Sequence, residues 1–303
     1  MNRSAIVGFG MYIPNQRIRT ADIAAHWQQD SKAISAGIGV NEKSVPSSSE
    51  DAFTMAFEAG KQAIETADIA STQISACYIG SESHPYAVKP TSGMVAAALE
   101  LDPFCFCADL EFACKAGTAG MQIVDSMVKS KQVRYGLAIG SDTAQSAPGD
   151  ALEYTAAAGA AAFVIGSEKD EKAICRMDYT LSFTTDTPDF WRPAEKKYPS
   201  HAGRFTGEPS YFRHVREAIK GIIQTADCSV EDINHVVLHM PNAKFPKKIA
   251  KEFGFTKEQM EHGFIVPNIG NTYSACSPLG LAHVLQKAKK QETILLILLI
   301  NVK

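Results

Sequence analysis

Short β-rich apolar runs alternate along this chain with longer stretches of helical character. The apolar runs predict strands over 4–10, 74–81, 105–110, 135–142, 158–166, 173–184, 233–239 and 293–300. The longer stretches predict helices over 20–28, 50–68, 89–100, 114–130, 209–226, 244–254 and 277–290. Alternation of this kind predicts an α/β architecture with helices packed on sheet faces. The small-residue run Ala156–Ala162 suits a tightly packed centre. Segment 185–212 has little period and carries Pro188, Asp189, Trp191, Pro193, Tyr198, Pro199, His201, Gly203 and Gly207. A loop that long inside a compact domain is expected to serve a site.

The pattern also repeats. Ile64-Glu65-Thr66-Ala67-Asp68 leads to Ile74 and the strand Cys77-Tyr78-Ile79, and Ile223-Gln224-Thr225-Ala226-Asp227 leads to Ile233 and the strand Val236-Val237-Leu238. A second echo pairs Cys114, which opens a predicted helix, with Cys276, which opens another; each helix is followed by a strand. The chain therefore reads as two similar halves, 1–170 and 171–303. In the first half the strand at 135–142 is followed by two more. The corresponding strand of the second half lies at the end of the sequence, so that half is expected to lack its last strand or strands.

Composition narrows the reading. The chain has 303 residues, of which 45% are hydrophobic and 21% charged, which excludes a disordered chain. Thirty Lys and Arg against 33 Asp and Glu give a formal charge of −3, and no basic run points to nucleic acid. The longest apolar run, 294–300, is too short to span a membrane. Seven cysteines, an odd count without a Cys-x-x-Cys pair, predict reduced thiols and a cytoplasmic protein. Phe104-Cys105-Phe106-Cys107 reads as a strand with thiols packed on one face rather than as metal ligands.

Four segments carry candidate chemistry. In Asp109-Leu110-Glu111-Phe112-Ala113-Cys114-Lys115-Ala116-Gly117, Cys114 stands between a strand and a helix. The positive helix end there would lower a thiol pKa and offer backbone donors to an oxyanion; a buried structural cysteine fits the segment equally well. His239 ends a predicted strand and can act as acid, base or carbonyl polariser, or as a structural residue. Asn271, in Pro267-Asn268-Ile269-Gly270-Asn271-Thr272-Tyr273-Ser274-Ala275-Cys276, can donate to an oxyanion or simply form a turn. Glu82, in Gly80-Ser81-Glu82-Ser83-His84-Pro85-Tyr86, follows a buried strand, where a carboxyl with a raised pKa serves as base and then acid; its plain reading is a surface turn.

Taken together, these motifs resemble the archaeal and bacterial type of hydroxymethylglutaryl-CoA synthase. The segments 149–159, 184–192 and 203–209 are similar too, so the likeness covers nearly the whole chain. The resemblance implies the thiolase fold: two βαβαβαββ halves in αβαβα layers. It implies that Cys114 takes an acetyl group from acetyl-CoA, that Glu82 removes a methyl proton, and that His239 polarises or protonates the ketone of acetoacetyl-CoA. Asn271 would hold oxyanion charge, Thr155 and Thr206 would line the substrate, and Arg204, Lys244 and Lys248 would lie near CoA phosphates. Lys248 stands where relatives often have Arg, which weakens a bidentate grip.

The resemblance further implies CoA thioesters as substrates with no other cofactor, a homodimer pairing strands near 105–110, and association with an acetoacetyl-CoA thiolase through a small OB-fold protein. The family continues into a Gly-Ser-Gly-type loop and a final strand, absent from this sequence. The expectation is an exposed apolar edge and impaired activity unless another chain covers it. Two other readings stand beside the synthase. One is a ketoacyl synthase or polyketide-type acyltransferase on the same fold, which would need no Glu82. The other is a silent scaffold subunit of a thiolase assembly.

Overall fold

The computed structural model describes residues 2–143 and 146–297. The strands are β1 (Ser4–Tyr12), β2 (Gln16–Arg19), β3 (Glu42–Val45), β4 (Ile74–Gly80), β5 (Phe106–Leu110), β6 (Tyr135–Asp142), β7 (Gly159–Ser167), β8 (Cys175–Met177), β9 (Phe190–Trp191), β10 (Ser200–His201), β11 (His235–Val237) and β12 (Ile294–Leu296). The principal helices are α1 (Thr20–His26), α2 (Ser31–Ile38), α3 (Ala52–Ala67), α4 (Thr91–Ala98), α5 (Ala116–Lys129), α6 (Arg213–Ala226), α7 (Lys244–Phe253) and α8 (Cys276–Leu285).

Six strands form one mixed sheet in the order β5-β4-β6-β7-β1-β8. β4 runs parallel to β5 and β6, while β7 is antiparallel to β6 and β1. β6 is buried along its whole length and β7 up to Gly166, so both read as nearly continuous apolar runs rather than alternating ones. The cause is cover on both faces. Met55, Ala59 and Ala63 of α3 pack with Ile79, Leu137 and Ile139 on one side. Met121 and Val124 of α5, with Leu279 and Ala282 of α8, pack with Tyr78, Ala138 and Phe163 on the other. Beyond α5 and α8, β11 and β12 pair in parallel, and α6 and α7 close over Val236 and Leu295. The layers therefore run α, β, α, β, α, the arrangement expected from the resemblance.

Local chemistry sets the element ends. Asp51 and Thr54 exchange hydrogen bonds of 2.8 Å in a capping box that starts α3, and Asp68 ends it in a left-handed conformation. The predicted strand 173–184 contracts to β8, which pairs with Ser4–Ile6 of β1 at the sheet edge. Residues 178–182 beyond it are exposed, and the described pairing with β1 ends at Met177, so no ladder holds them extended. The hairpin of β2 and β3 and helix α2 escaped the pattern because β2 is exposed throughout and α2 buries no residue. Of the predicted strand 293–300, Ile294–Leu296 are paired, and 298–300 lie outside the described residues. The aperiodic segment 185–212 folds into the two-residue pair β9–β10 and a π-helical stretch, Thr206–Phe212.

Two glycines let the second half reach the first. A Cβ on Gly117 of α5 would lie 2.6 Å from the Ser274 carbonyl oxygen, and one on Gly140 of β6 would lie 2.4 Å from the same atom. The obstacle is backbone and cannot swing aside. Replacing Gly140 with Ala is therefore expected to lower stability by about 1–3 kcal/mol or more, through overpacking. Urea unfolding measures it, and an unchanged midpoint would show that the turn carrying Ser274 is not wedged against β6.

Candidate active site

The parallel strands β4, β5 and β6 end side by side, and the site is assembled from the turns that follow them. This is where open α/β sheets place ligands. Cys114 lies in the turn between β5 and α5, after Ala113, whose φ of 44° is uncommon for a residue with a side chain. Its thiol donates to Glu82 Oε1 at 3.5 Å. Glu82 belongs to the turn after β4, and its backbone N–H donates to Asp142 Oδ1 at 2.7 Å.

Asp142 was not singled out from the sequence, yet it organises the site. It is fully buried at the end of β6. Ser81 and Ser83 flank Glu82, and their hydroxyls donate to Oδ1 at 2.9 and 2.6 Å. The Ser274 N–H and hydroxyl donate to Oδ2 at 2.9 and 2.6 Å. One carboxylate thus fixes the Glu82 turn of the first half and the Asn271–Ser274 turn of the second. The available signal was a charged residue ending a buried apolar strand, the same signal that exposed Glu82.

Asn271 is buried and docked beside Thr155: its N–H donates to the Thr155 carbonyl at 2.7 Å, and the Ala157 N–H donates to its own carbonyl at 2.8 Å. Its side-chain oxygen accepts from the Tyr273 N–H at 3.0 Å, which leaves the amide NH2 as the group it can offer a ligand. His239 is 1% exposed, and Tyr211 donates to its backbone carbonyl at 2.7 Å. His239 Nδ1 and Thr206 Oγ1 are buried with no hydrogen-bond partner among the described residues. Such atoms are what a polar ligand would satisfy.

The basic residues lie farther out. Arg204 is exposed, its guanidinium stacked 5.7 Å from the Phe205 ring. Lys244 is exposed at the first turn of α7, where Asn242 Oδ1 accepts from the N–H groups of Lys244 and Phe245. Lys248 pairs with Glu208 at 3.2 Å and lies 4.1 Å over the Phe212 ring, so its charge is already engaged.

Burial dominates the electrostatics. Together with the charges of Glu82, Cys276 and Asp142, it holds the Cys114 thiol well above its ordinary pKa. This corrects the expectation of a thiol lowered by the helix end: α5 begins two residues later, at Ala116, and the sulfur meets a carboxylate instead. Burial and then Asp142 also hold Glu82 well above the usual carboxyl range, against the opposing pull of Cys114 and Arg192. Asp142 is raised by burial despite its donors. Burial lowers His239 to about 3, so its imidazole is neutral at physiological pH. The resting site therefore holds a thiol, a carboxyl of high proton affinity and a neutral imidazole. Such a set acts by passing protons rather than from a standing thiolate. No three His, Cys, Asp or Glu side chains among the described residues are grouped to hold a metal ion.

Comparison with known proteins places this geometry. Residues 108–182 match the family model for 3-oxoacyl-acyl-carrier-protein synthase III, and residues 223–299 match the model for its C-terminal part. The hydroxymethylglutaryl-CoA synthase of Archaeoglobus fulgidus is 56% identical over 96% of this chain and 84% of its own. That of Methanococcus maripaludis strain C5 is 51% identical over 98% of this chain and 85% of its own. The chain belongs to the hydroxymethylglutaryl-CoA synthase family. A crystal structure of HMG-CoA synthase complexed with CoA superposes with a TM-score of 0.84 over 95% of this chain and 76% of that one; at 22% identity it speaks to the shared fold.

Two measurements test the site. Asp142→Asn keeps the shape but places an NH2 among five donors, and is expected to cost about 2–3 kcal/mol through unsatisfied buried groups, read as a lower urea midpoint. The second concerns sign. A neighbouring negative charge raises a thiol pKa, so Glu82→Gln should lower that of Cys114 and enlarge its thiolate fraction at any given pH. Alkylation of Cys114 by iodoacetamide at pH 8 should then be at least about threefold faster than in the native protein. Equal or slower alkylation would refute this electrostatic account.

Proposed function

We propose that Cys114, Glu82 and His239 carry the hydroxymethylglutaryl-CoA synthase reaction in this chain, condensing acetyl-CoA with acetoacetyl-CoA to 3-hydroxy-3-methylglutaryl-CoA for the mevalonate route to isoprenoids. The observation that carries the reading is the direct contact of the Cys114 thiol with Glu82 at 3.5 Å; the buried Nδ1 of His239, which has no partner among the described residues, supports the third role.

In the first step the thiol gives its proton to Glu82 as sulfur attacks the acetyl carbonyl, and the departing CoA thiolate takes that proton. Glu82, again a carboxylate, removes a methyl proton from the acetyl-thioester. The resulting enolate forms a carbon–carbon bond to the ketone of acetoacetyl-CoA. Neutral His239 donates a hydrogen bond to the ketone oxygen and then its proton to the alkoxide that forms, which stays on the product as its hydroxyl; the proton taken by Glu82 restores the neutral imidazole through solvent. Water then cleaves the Cys114 thioester. The amide NH2 of Asn271 and backbone N–H groups near Cys114 hold oxyanion charge. Thr155 and Thr206 line the substrate, and Arg204, Lys244 and Lys248 meet the CoA phosphates; the pairing with Glu208 makes Lys248 the weakest of the three.

The same reading assigns the nucleophile and base to residues 1–170 and the His and Asn to residues 171–303. It also calls for a homodimer. β5 is an edge strand of the sheet, and Phe106 on it and Phe104 just before it are 57% and 95% exposed, an apolar edge that a second copy would cover. A wider assembly with an acetoacetyl-CoA thiolase and a small OB-fold protein, and a cytoplasmic location, complete the proposal. No helix among the described residues is long and apolar enough to cross a membrane.

Labelled acetyl-CoA tests the chemistry. The label should reach Cys114 as a thioester, and Cys114→Ala should abolish all turnover. Glu82→Ala should lower acetoacetyl-CoA-dependent release of CoA by about 10²–10⁴-fold, the usual worth of a general base. A folded protein that takes no label at Cys114 would overturn the enzyme reading in favour of a scaffold role. Condensation that survives loss of Glu82 would favour a decarboxylating ketoacyl synthase.

A further inference from the structure

One buried cation has no part in the reaction as assigned so far. Lys43 lies on β3 and is 4% exposed, and no carboxylate among the described residues pairs with it. An ammonium buried in that way is costly. The group it does bind is a backbone carbonyl: Nζ donates to the oxygen of Glu153 at 2.5 Å. Glu153 belongs to the 3₁₀ turn Ala151–Tyr154, and the last carbonyls of such a turn have no partner within it. Thr155 follows directly. Its carbonyl accepts from the Asn271 N–H at 2.7 Å, and Ala156 and Asn271 form a parallel bridge.

The stem of Lys43 meets the other side of the same joint. Gly270, at φ 84°, is so closely packed that a Cβ on it would lie 3.0 Å from that of Lys43 and 2.8 Å from the Thr155 carbonyl oxygen. One side chain thus touches both segments that carry Asn271: the turn before Thr155 through its ammonium, and Gly270 through its stem. The neighbouring ties of β3 are uncharged. Ser44 Oγ donates to the Ala158 carbonyl at 2.5 Å, and the Asn41 N–H donates to that of Pro267 at 2.7 Å.

We infer that Lys43 is a positioning residue for Asn271: its ammonium pins the Glu153 carbonyl and so sets where the Asn271 amide stands when oxyanion charge develops. The grip depends on charge, because a hydrogen bond from an ionised donor is roughly twice as strong as one from a neutral donor. Burial lowers Lys43 to about 8, against the opposing charge of Glu153. That carboxylate is itself held, its Oε2 accepting from Trp27 Nε1 at 2.8 Å and from the Gly149 N–H at 2.7 Å. Around the joint, Glu42 faces Arg17 at 3.9 Å and Asp150 pairs with His201, while segment 266–271 holds no charged residue. The sign follows: Lys43 is charged and grips firmly below about 8, and is neutral and grips weakly above it.

This role rests on the synthase reading of Asn271, and the test separates the two. Turnover of the full chain is followed across the neutral and alkaline range in the native protein, Lys43→Met, Asn271→Ala and the double variant. Native kcat should fall at least about fivefold between pH 7 and pH 9.5. Lys43→Met should lose at least about tenfold in kcat at neutral pH, keep KM for both thioesters within about threefold, and show no alkaline fall. Asn271→Ala should show no alkaline fall either, and adding Lys43→Met to it should cost less than about twofold more, because the lysine acts through the asparagine. A merely structural role would multiply the two losses and leave the alkaline fall in place. An alkaline fall that persists in Lys43→Met would belong to another group, such as Lys115, also lowered by burial to about 8, and would overturn the assignment. If Lys43→Met does not fold, native and Asn271→Ala still decide: an equal alkaline fall in both overturns it. Labelling of Cys114 by acetyl-CoA reads the synthase chemistry separately, and its failure in the native protein would overturn that reading and this role with it.

Discussion

A single buried carboxylate holds the site together. Burying an ionised group without compensation is costly, and the cost is met only if donors surround it. Asp142 meets that condition with hydrogen bonds drawn from two turns, one of each half. Neither turn alone could satisfy it, so the charge favours docking of the second half onto the first. The close approach of the Ser274 backbone to Gly117 and Gly140 follows from the same demand, because a Cβ at either position would hold Ser274 away from Asp142. The turns that carry Glu82 and Asn271 are thereby fixed relative to one frame, the preorganisation that the proposed reaction requires.

The carboxylate also sets the chemistry. It raises the proton affinity of Glu82 and of the Cys114 thiol, on top of the larger effect of burial. A site with this much negative potential does not keep a thiolate at rest, and it makes Glu82 a stronger base than an exposed glutamate. The same dry surroundings keep His239 neutral, so the imidazole contributes an N–H hydrogen bond rather than a charge. The hydrogen bond from Cys114 and the charge of Arg192, whose guanidinium donates to the Glu82 backbone carbonyl, oppose that rise at Glu82.

Much of the first sheet was legible in the sequence because its inner strands are buried on both faces: β6 was read to the residue, and β1, β4 and β7 to within two residues at each end; the edge strand β5 was read as closely although it is partly exposed. The repeat located α5 and α8, and the family resemblance anticipated the layered fold. Legibility failed where burial did not drive the pattern. β2, α2 and the residues after β8 are held by turns and caps or by little at all, and no period marks them. At the site, Cys114, Glu82, His239 and Asn271 were readable from their positions at element ends, and the structure brings Cys114 into contact with Glu82 and Asn271 against Thr155. The direction of the thiol pKa was not readable. It depends on which neighbour the sulfur meets, and that neighbour, Glu82, is 32 residues away in the chain. Asp142 was hidden for the same reason, since its partners lie up to 132 residues distant.

The two cysteines of the repeat show how little of the chemistry belongs to the frame itself. Cys114 precedes α5 and Cys276 opens α8, the corresponding helix of the second half. Cys276 is 1% exposed among Val40, Met240, Ala243 and Val266, and its thiol faces the Met240 carbonyl at 3.7 Å. Burial pushes it up to about 12, with no carboxylate among the described residues in hydrogen-bond contact to relay its proton. Cys114 is also held high, but it is half-buried and touches Glu82. A raised pKa is therefore compatible with either fate. What distinguishes the two thiols is the neighbour each meets: among the described residues Cys114 touches a carboxyl that can take its proton, and Cys276 faces a backbone carbonyl.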